Sequence, residues 1–134
     1  MTAMLLALAL AAAPVPPMIV VDEAQVVKRE PPPHGSVGMS TAYRISDAVP
    51  NRTMEFRKRV LHVGAAIGDH VIDHDEVYYV LGGDGEVVAN GQKARLRRGM
   101  AAYLYTGASV GIRQLGKAPL TLIIAYPLPA KVPR

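Results

Sequence analysis

The chain has 134 residues, of which half are hydrophobic and 19% are charged, and this composition is typical of one globular domain with a buried core. It contains no cysteine, which excludes disulfides, cysteine-ligated metals and thiol catalysis. The net charge is +4, but the basic residues are spread along the chain, and the absence of Trp leaves little aromatic surface for stacking bases. We therefore expect no nucleic-acid partner.

Residues 1–17 are predicted to be a leader followed by a proline-rich linker. The run MTAMLLALALAAA at 1–13 resembles the apolar part of a secretory signal, with Ala9-Leu10-Ala11 as a cleavage site, and it is too short to span a bilayer. Three prolines within residues 14–17 stiffen the chain after it. We expect a periplasmic or secreted protein without stable membrane insertion, or a cytoplasmic protein if the leader is not cleaved.

Residues 18–52 are predicted to form an N-terminal arm with short strands. Met18 to Val27 is β-prone, Pro31-Pro32-Pro33 interrupts the chain, and Ser40 to Ser46 is a second β-prone segment. We expect this arm to lie over a sheet edge of its own subunit or of a partner subunit.

Residues 53–127 have the pattern of a β protein, because short apolar or alternating segments are separated by turn residues and none shows a capped helical period. Asn90-Gly91 is the strongest hairpin signal, and Gly64 to Gly68 is interpreted as a turn of small residues. The predicted strands are Thr53 to Val63, Val77 to Leu81, Gly85 to Val88, Ala94 to Arg97, Met100 to Tyr105, Val110 to Leu115 and Leu120 to Tyr126. This spacing predicts an all-β sandwich, jelly roll or small barrel, with residues 128–134 as a C-terminal tail.

The polar side chains that can carry chemistry are concentrated just before one of these strands. His70, His74, Asp75 and Glu76 fall within seven residues, and the apolar strand Val77 to Leu81 follows at once. Imidazole and carboxylate groups so close in sequence can bind a metal ion or transfer a proton.

Two segments, Gly64 to Gly83 and Gly99 to Gln114, resemble the two signature motifs of the cupin superfamily. The matching positions are Gly64, His70, Glu76 and Gly83 in the first motif and Gly99 and Gly107 in the second, where Gln114 stands at the position of an Asn. The resemblance covers about residues 55–126. It implies an all-β double-stranded β-helix, that is, a jelly-roll barrel with the functional site inside the barrel mouth.

The family's metal-ligand set is incomplete in this chain. Metal-binding cupins use two His and one Glu from the first motif and one His from the second, and the residues at those places are His70, Ile72, Glu76 and Val110. The resemblance therefore favours a pocket without a resident metal, in which His70 and Glu76 form a hydrogen-bonded pair. A divalent-metal centre of His70, Glu76 and His74 is the alternative, with His62 as a further substitute ligand.

The resemblance implies a mostly apolar pocket for a small-molecule ligand. Its predicted lining residues are His70, Ile72, Glu76, Tyr78, Tyr105, Val110 and Gln114. We therefore expect a small-molecule-binding cupin with a degraded metal site. The alternative is an enzyme of isomerase, epimerase, lyase or oxygenase type that acts on a small polar metabolite through His70 and Glu76 as catalytic residues, with or without a metal.

The strand that begins at Val77 carries apolar residues on both of its faces. Val77, Tyr79 and Leu81 alternate with the residues that share the side of Glu76, so both sides of the strand are expected to be covered. A second sheet, or the N-terminal arm of the same or of a partner subunit, would cover the second side, and a homodimer is expected.

Overall fold

A computed structural model describes residues 15–130 of the chain. The predicted signal sequence and the last four residues of the tail lie outside the described residues, so cleavage and export stay predictions. No helix among residues 15–130 has the length and apolar character needed to cross a membrane.

The described part of the chain is built from ten strands and one short 3-10 turn at Glu23–Gln25. The strands are β1 (Val27–Glu30), β2 (Ser40–Tyr43), β3 (Met54–Leu61), β4 (Ala66–Val71), β5 (Glu76–Gly82), β6 (Asp84–Ala89), β7 (Gln92–Arg97), β8 (Ala101–Leu104), β9 (Ser109–Leu115) and β10 (Leu120–Pro127). The all-β prediction is confirmed, since the elements between residues 15 and 130 include no α-helix.

The strands form two antiparallel sheets. The larger sheet has the order β1-β2-β3-β10-β5-β8, and the smaller has the order β4-β9-β6-β7. The apolar side chains of the two inner faces make one core. Its most deeply buried members are Leu61, Tyr78, Val80, Val110, Leu120 and Leu122. This is the two-layer arrangement of a jelly roll.

The hairpin predicted at Asn90-Gly91 joins β6 to β7, where Ala89 pairs with Gln92. Both turn residues have positive φ angles, 49° at Asn90 and 79° at Gly91, as the favoured two-residue hairpin turn requires. The predicted turn from Gly64 to Gly68 is shorter than expected, because β4 already begins at Ala66 and pairs with β9.

The N-terminal arm extends the larger sheet and does not lie over it. Ser40 of β2 pairs with Leu61 of β3, and β1 pairs in turn with β2. The expected strand from Met18 is wrong, because residues 18–22 are irregular and Asp22 caps the 3-10 turn by accepting a hydrogen bond from Ala24 N at 3.0 Å. The arm therefore supplies the edge of the sheet whose inner face holds the site.

The inner face of β3 is unusually polar for a sheet that covers a core. Glu55, Arg59 and Leu61 are all buried, whereas Phe56 on the opposite face is 40% exposed. The charged residues of this strand thus point between the two sheets, and they form one wall of the cavity described next.

Candidate functional site

An inner cavity of about 360 Å³ opens between the two sheets at one end of the barrel. Its wall comes from the arm, both sheets and the loop between β4 and β5. The lining residues are Pro33 and His34 of the arm, Arg57 and Arg59 of β3, Ile67, His70 and Val71 of β4, Ile72, Asp73 and His74 of the loop, Glu76 and Tyr78 of β5, and Ile124 and Tyr126 of β10. Four of the seven predicted pocket residues therefore share one cavity, namely His70, Ile72, Glu76 and Tyr78.

His70 lines this cavity with its ring held on two sides. Its Nδ1 lies 2.9 Å from the carbonyl oxygen of Gly68, and because a carbonyl only accepts, Nδ1 carries a proton and donates it. The ring stacks on His34 with centroids 3.6 Å apart and planes 6° apart. Burial, followed by the charge of neighbouring His70, lowers the pKa of His34, which favours the neutral form of His34.

Glu76 is the buried acid of the cavity, with 6% of its surface exposed. Burial raises the pKa of Glu76, while the nearby charges of His74 and His70 oppose that rise. Its nearest basic group is His74, whose Nε2 lies 3.8 Å from Oε2. Glu76 therefore keeps its proton more readily than an exposed glutamate and can act as a hydrogen-bond donor.

The predicted hydrogen-bonded pair of His70 and Glu76 is not formed. Among the described residues no hydrogen bond or ion pair joins these two side chains, because the His70 ring is held by Gly68 and His34 while Glu76 faces His74. The two groups instead face one cavity from separate strands, β4 and β5.

Two arginines of β3 line the cavity and were not predicted to do so. Arg57 Nε donates to Glu55 Oε2 at 2.8 Å, and Arg59 Nη1 donates to Ser40 Oγ at 2.8 Å. Glu30 Oε1 lies 3.5 Å from Arg59 Nη2. One indication of this arrangement lies in the sequence, because Arg57, Arg59 and the buried Leu61 are alternate residues of β3 and therefore lie on the same face of the strand.

Tyr78 is a neutral phenol in the cavity wall. It is 1% exposed, and burial, together with the charge of Glu76, raises its pKa well above the ordinary value. Its hydroxyl can therefore donate a hydrogen bond across the pH range in which the protein is folded.

Three predicted pocket residues lie elsewhere. Tyr105 is 70% exposed and packs edgewise on Tyr103, because the inward positions of β8 belong to the alternate residues such as Leu104. Val110 pairs with His70 across β4 and β9 but is fully buried in the core. Gln114 stands four residues beyond Val110, about 13 Å along the strand.

Gln114 has a structural part in this fold. Its Oε1 accepts from Gly64 N at 2.9 Å, and its Nε2 donates to the carbonyl oxygens of Leu115, Gly116 and Ala118 at 2.8–2.9 Å. The amide thus ties the turn after β9 to the start of β4 and leaves no donor for a ligand.

The residues present do not fit a metal centre. Ile72 and Val110 occupy two ligand positions with side chains that have no donor atom. Within residues 15–130, no group of three or more His, Asp and Glu side chains is arranged to hold a metal ion, so His70, Glu76 and His74 do not form the alternative ligand set. His62 is also elsewhere, with Nε2 2.9 Å from Thr41 Oγ1.

A second concavity, the outer groove, adjoins the inner cavity and has a volume of about 710 Å³. Four residues belong to both walls, namely Asp73, His74, Glu76 and Tyr126. The rest of the groove comes from Met54, Asp75, Val77, Tyr103, Thr106, Ala125 and Pro127 to Pro129. The two spaces are therefore neighbours across one thin partition.

Asp75 fixes the loops at the rim of the outer groove. Its Oδ1 accepts from Thr106 N at 2.9 Å and from Thr106 Oγ1 at 2.8 Å, and its Oδ2 accepts from Tyr103 OH at 2.6 Å. These hydrogen bonds lower the pKa of Asp75, so the carboxylate stays ionised while it holds the two loops together.

Comparison of the sequence with protein-family models and with curated proteins finds no match. Comparison of the fold with solved structures finds similar chains. One is described as a predicted oxalate decarboxylase from Thermotoga maritima, with a TM-score of 0.72 and 24% identity over 82% of this chain and 99% of that chain. A second is the polyketide cyclase RemF from Streptomyces resistomycificus, with a TM-score of 0.70 and 17% identity over 82% of this chain and 79% of that chain.

A third similar chain is an RmlC-like cupin from Shewanella frigidimarina, with a TM-score of 0.61 and 18% identity over 77% of this chain and 85% of that chain. The two packed antiparallel sheets, the cavity between them and these matches agree with the motif resemblance. The chain therefore has the jelly-roll barrel fold of these solved structures.

Proposed function

We propose that this chain binds a small polar molecule in the inner cavity and uses no resident metal to do so. The observation that carries the proposal is the convergence of His70 Nε2, Glu76 and Arg57 on one space of about 360 Å³, a volume typical of small-molecule sites. Ile67, Ile72 and Ile124 supply the apolar remainder of the wall.

The polar groups of the cavity offer a ligand complementary contacts. The His70 imidazole and the Glu76 carboxyl can form hydrogen bonds to a ligand, and the Arg57 guanidinium is a charged donor. Arg57 is held by Glu55, so its position in the wall is fixed before a ligand arrives. Such preorganisation reduces the entropy lost on binding.

A proton-transfer enzyme is the second candidate, because one observation favours it. An imidazole and a carboxyl group with a raised pKa face the same cavity, which is the arrangement of a general base and a general acid. His70 would take a proton from a carbon or hydroxyl of the metabolite, and Glu76 would donate one to another atom of the same molecule. The similar solved structures include proteins described as enzymes, which supports catalysis in this fold.

The binding proposal is tested by a thermal-shift screen of small polar metabolites and divalent metals on the purified protein. A true ligand raises the melting temperature in proportion to the logarithm of its concentration above Kd. We expect the shift to be lost in His70→Ala and to persist in His62→Ala, which removes an imidazole that lies outside both cavities. A shift lost equally in both variants would contradict the proposal, as would stoichiometric metal lost on His70→Ala.

The enzyme candidate is tested by proton NMR of each hit in deuterated water. Exchange of a carbon-bound hydrogen that depends on His70 and Glu76 would support catalysis. Binding without hydrogen exchange in the wild-type protein would contradict the enzyme candidate and support small-molecule binding.

We also propose a homodimer through part of the outer face of the larger sheet. Tyr79, Leu81 and Met100 are 39%, 43% and 44% exposed and lie at the end of β5 away from the cavity. Exposed apolar residues grouped on one surface mark an interaction site. Analytical ultracentrifugation should show a dimer that Leu81→Asp dissociates, and a wild-type monomer at high concentration would contradict this.

A further inference from the structure

The inner cavity and the outer groove differ sharply in chemistry. The inner cavity holds two arginines and three histidines, whereas the groove is lined beyond the partition mainly by apolar groups, among them Val77, Ala125 and Leu128. A molecule that filled both spaces would meet polar groups at one end and hydrocarbon at the other.

His74 stands at the partition between the two spaces. Its ring stacks on Tyr126 with centroids 4.1 Å apart and planes 11° apart, and its Nδ1 lies 2.8 Å from Asp73 Oδ1. Its Nε2 is buried and, within the described residues, has no hydrogen-bond partner. A buried polar atom without a partner is costly, and a ligand group at the partition would remove that cost.

We infer that the ligand of the inner cavity is amphipathic, with a carboxylate head among His70, Arg57 and His74 and a hydrocarbon tail in the outer groove. The inference rests on the proposed function, since it assigns the chemistry of the molecule bound at the same site. The outer groove adjoins that site, because His74, Glu76 and Tyr126 belong to the walls of both spaces, so the ligand would pass beside these three side chains.

The charges around the inner cavity select a carboxylate head. The protonated form of His74 would donate from Nε2, while Asp73 accepts from Nδ1 on the other side of the ring. Arg57 adds a guanidinium, and Glu76 opposes an anion only weakly because burial raises its pKa. Asp73 is the other acid of the wall, but its side chain is 98% exposed, so solvent screens its charge.

The apolar wall of the groove selects a hydrocarbon tail. Val77 projects from the outer face of β5, opposite Tyr103 of β8, and Ala125 lies beside it on β10. Each methylene buried against such a wall should tighten binding by about twofold to fourfold. Affinity should therefore rise with chain length until the tail leaves the groove.

The test is a titration of the full chain with butanoate, hexanoate, octanoate and decanoate, followed by calorimetry or thermal shift. Val77→Asp places a charge in the groove wall. Val63→Asp is the matched control, because it makes the same substitution at a residue that is 60% exposed and lies outside the groove, the inner cavity and the proposed dimer surface. Circular dichroism and ultracentrifugation of each variant establish folding and oligomeric state, and octan-1-ol tests the need for the carboxylate.

The expected result is a Kd that falls by about twofold to fourfold per methylene in the wild type and in Val63→Asp. The chain-length dependence should be lost in Val77→Asp, and octan-1-ol should bind more weakly than octanoate. An equal dependence in both variants would overturn the inference, because it would show partition onto another surface. Dissociation of a dimer by Val77→Asp with the chain-length dependence intact would also overturn it, since a second copy would then occupy the groove.

The outcomes separate this inference from the proposed function. If His70→Ala weakens every acid and chain length has no effect, the inner cavity binds the head and the amphipathic assignment is wrong. If a polar metabolite binds in a His70-dependent way and no acid does, the proposed function stands and the inference fails. If no compound responds to His70→Ala, both fail.

Discussion

Substitution of Glu55 by Gln should destabilise the protein strongly, although Glu55 lies outside both cavities. Glu55 is 1% exposed, and its two oxygens accept from Arg52 Nε and Arg57 Nε at 2.8 Å each and from Ser46 Oγ at 3.3 Å. Gln keeps the shape of the side chain but removes the charge and one acceptor. Arg57 would then face an amide in place of its ion-pair partner.

The size of the effect follows from the exposure of the partners. Breaking a fully buried ion pair costs about 3–5 kcal/mol, and a hydrogen bond to a charged group contributes about 1.5–3 kcal/mol. The side chains of Arg52 and Arg57 are 29% and 25% exposed, so water replaces part of the loss. We expect Glu55→Gln to lower the free energy of unfolding by about 2–3 kcal/mol, which corresponds to roughly 6–12 °C in Tm for a domain of this size.

The effect should depend on pH with a definite sign. Burial alone would raise the pKa of Glu55, but the hydrogen bonds and charges of Arg57 and Arg52 outweigh burial and hold the pKa below the ordinary value of 4.5. The stabilisation by this carboxylate is therefore complete above 4.5 and is lost as the pH falls through the lowered pKa of the folded state. As the pH falls from 4.5 through the lowered pKa of Glu55, the difference in Tm between wild type and Glu55→Gln should therefore decrease.

Thermal unfolding followed by circular dichroism measures both effects. Glu86→Gln is the control, because Glu86 accepts from Arg113 Nε at 3.0 Å on the protein surface, where ion pairs contribute little. If Glu55→Gln lowers Tm no more than Glu86→Gln, or if its effect is unchanged well below pH 4.5, the buried ion-pair account of β3 is refuted.

Three further substitutions have defined outcomes. Gln114→Leu leaves backbone groups such as Gly64 N and Leu115 O without hydrogen-bond partners, so Tm should fall by an amount equivalent to about 1–3 kcal/mol. The Kd for a ligand should stay unchanged, and a higher Kd would argue against a purely structural role of Gln114. Gly68→Ala places a Cβ against the His34 carbonyl oxygen, so calorimetry should show both lower stability and weaker ligand binding. If the variant binds the ligand as tightly as the wild type, the stack of His34 on His70 is not part of the site. Glu76→Gln should raise Tm at neutral pH. Because burial raises the pKa of Glu76 in the folded state, the wild-type protein loses stability as the pH rises from 4.5 through the folded-state pKa, and Gln does not ionise. An unchanged or lower Tm would contradict the conclusion that burial raises this pKa.

The sequence predicted the fold well because the fold depends on local signals. Asn90-Gly91 requires two positive φ angles, and the structure has them at a two-residue hairpin. The motif resemblance from Gly64 to Gly83 predicted that His70 and Glu76 lie in one pocket, and both line one cavity, although the strand β4 that carries His70 was not predicted. Turn residues and strand alternation are properties of neighbouring positions, so a single sequence carries them.

The site was predicted less completely because its other walls come from distant parts of the chain. His34 stacks on His70 although 36 residues separate them, and the arm that carries His34 has no motif that marks it as part of a pocket. Arginine is seldom buried, so the sequence alone gives little reason to place Arg57 and Arg59 in a cavity wall. The inward position is stabilised by their acidic partners, the buried Glu55 for Arg57 and the partly buried Glu30 for Arg59.

Tyr105 and Gln114 show why the alternation of side chains along a strand does not by itself identify pocket residues. Alternation states which face of a strand a side chain occupies, but it does not state which end of the strand reaches the cavity. Gln114 has the inward parity of Val110 yet lies at the opposite end of β9, where it closes a turn. Tyr105 follows the outward positions of β8.

The position of β10 has a consequence for synthesis of the protein. β10 is the last strand of the described chain, yet it lies between β3 and β5 in the larger sheet and pairs with both. A growing polypeptide on the ribosome has β3 and β5 available long before residue 120 is added, and each then has an unpaired edge that can associate with other chains. Closure of the sheet, and with it the wall that Ile124 and Tyr126 give to the inner cavity, must therefore wait until β10 itself has been synthesised.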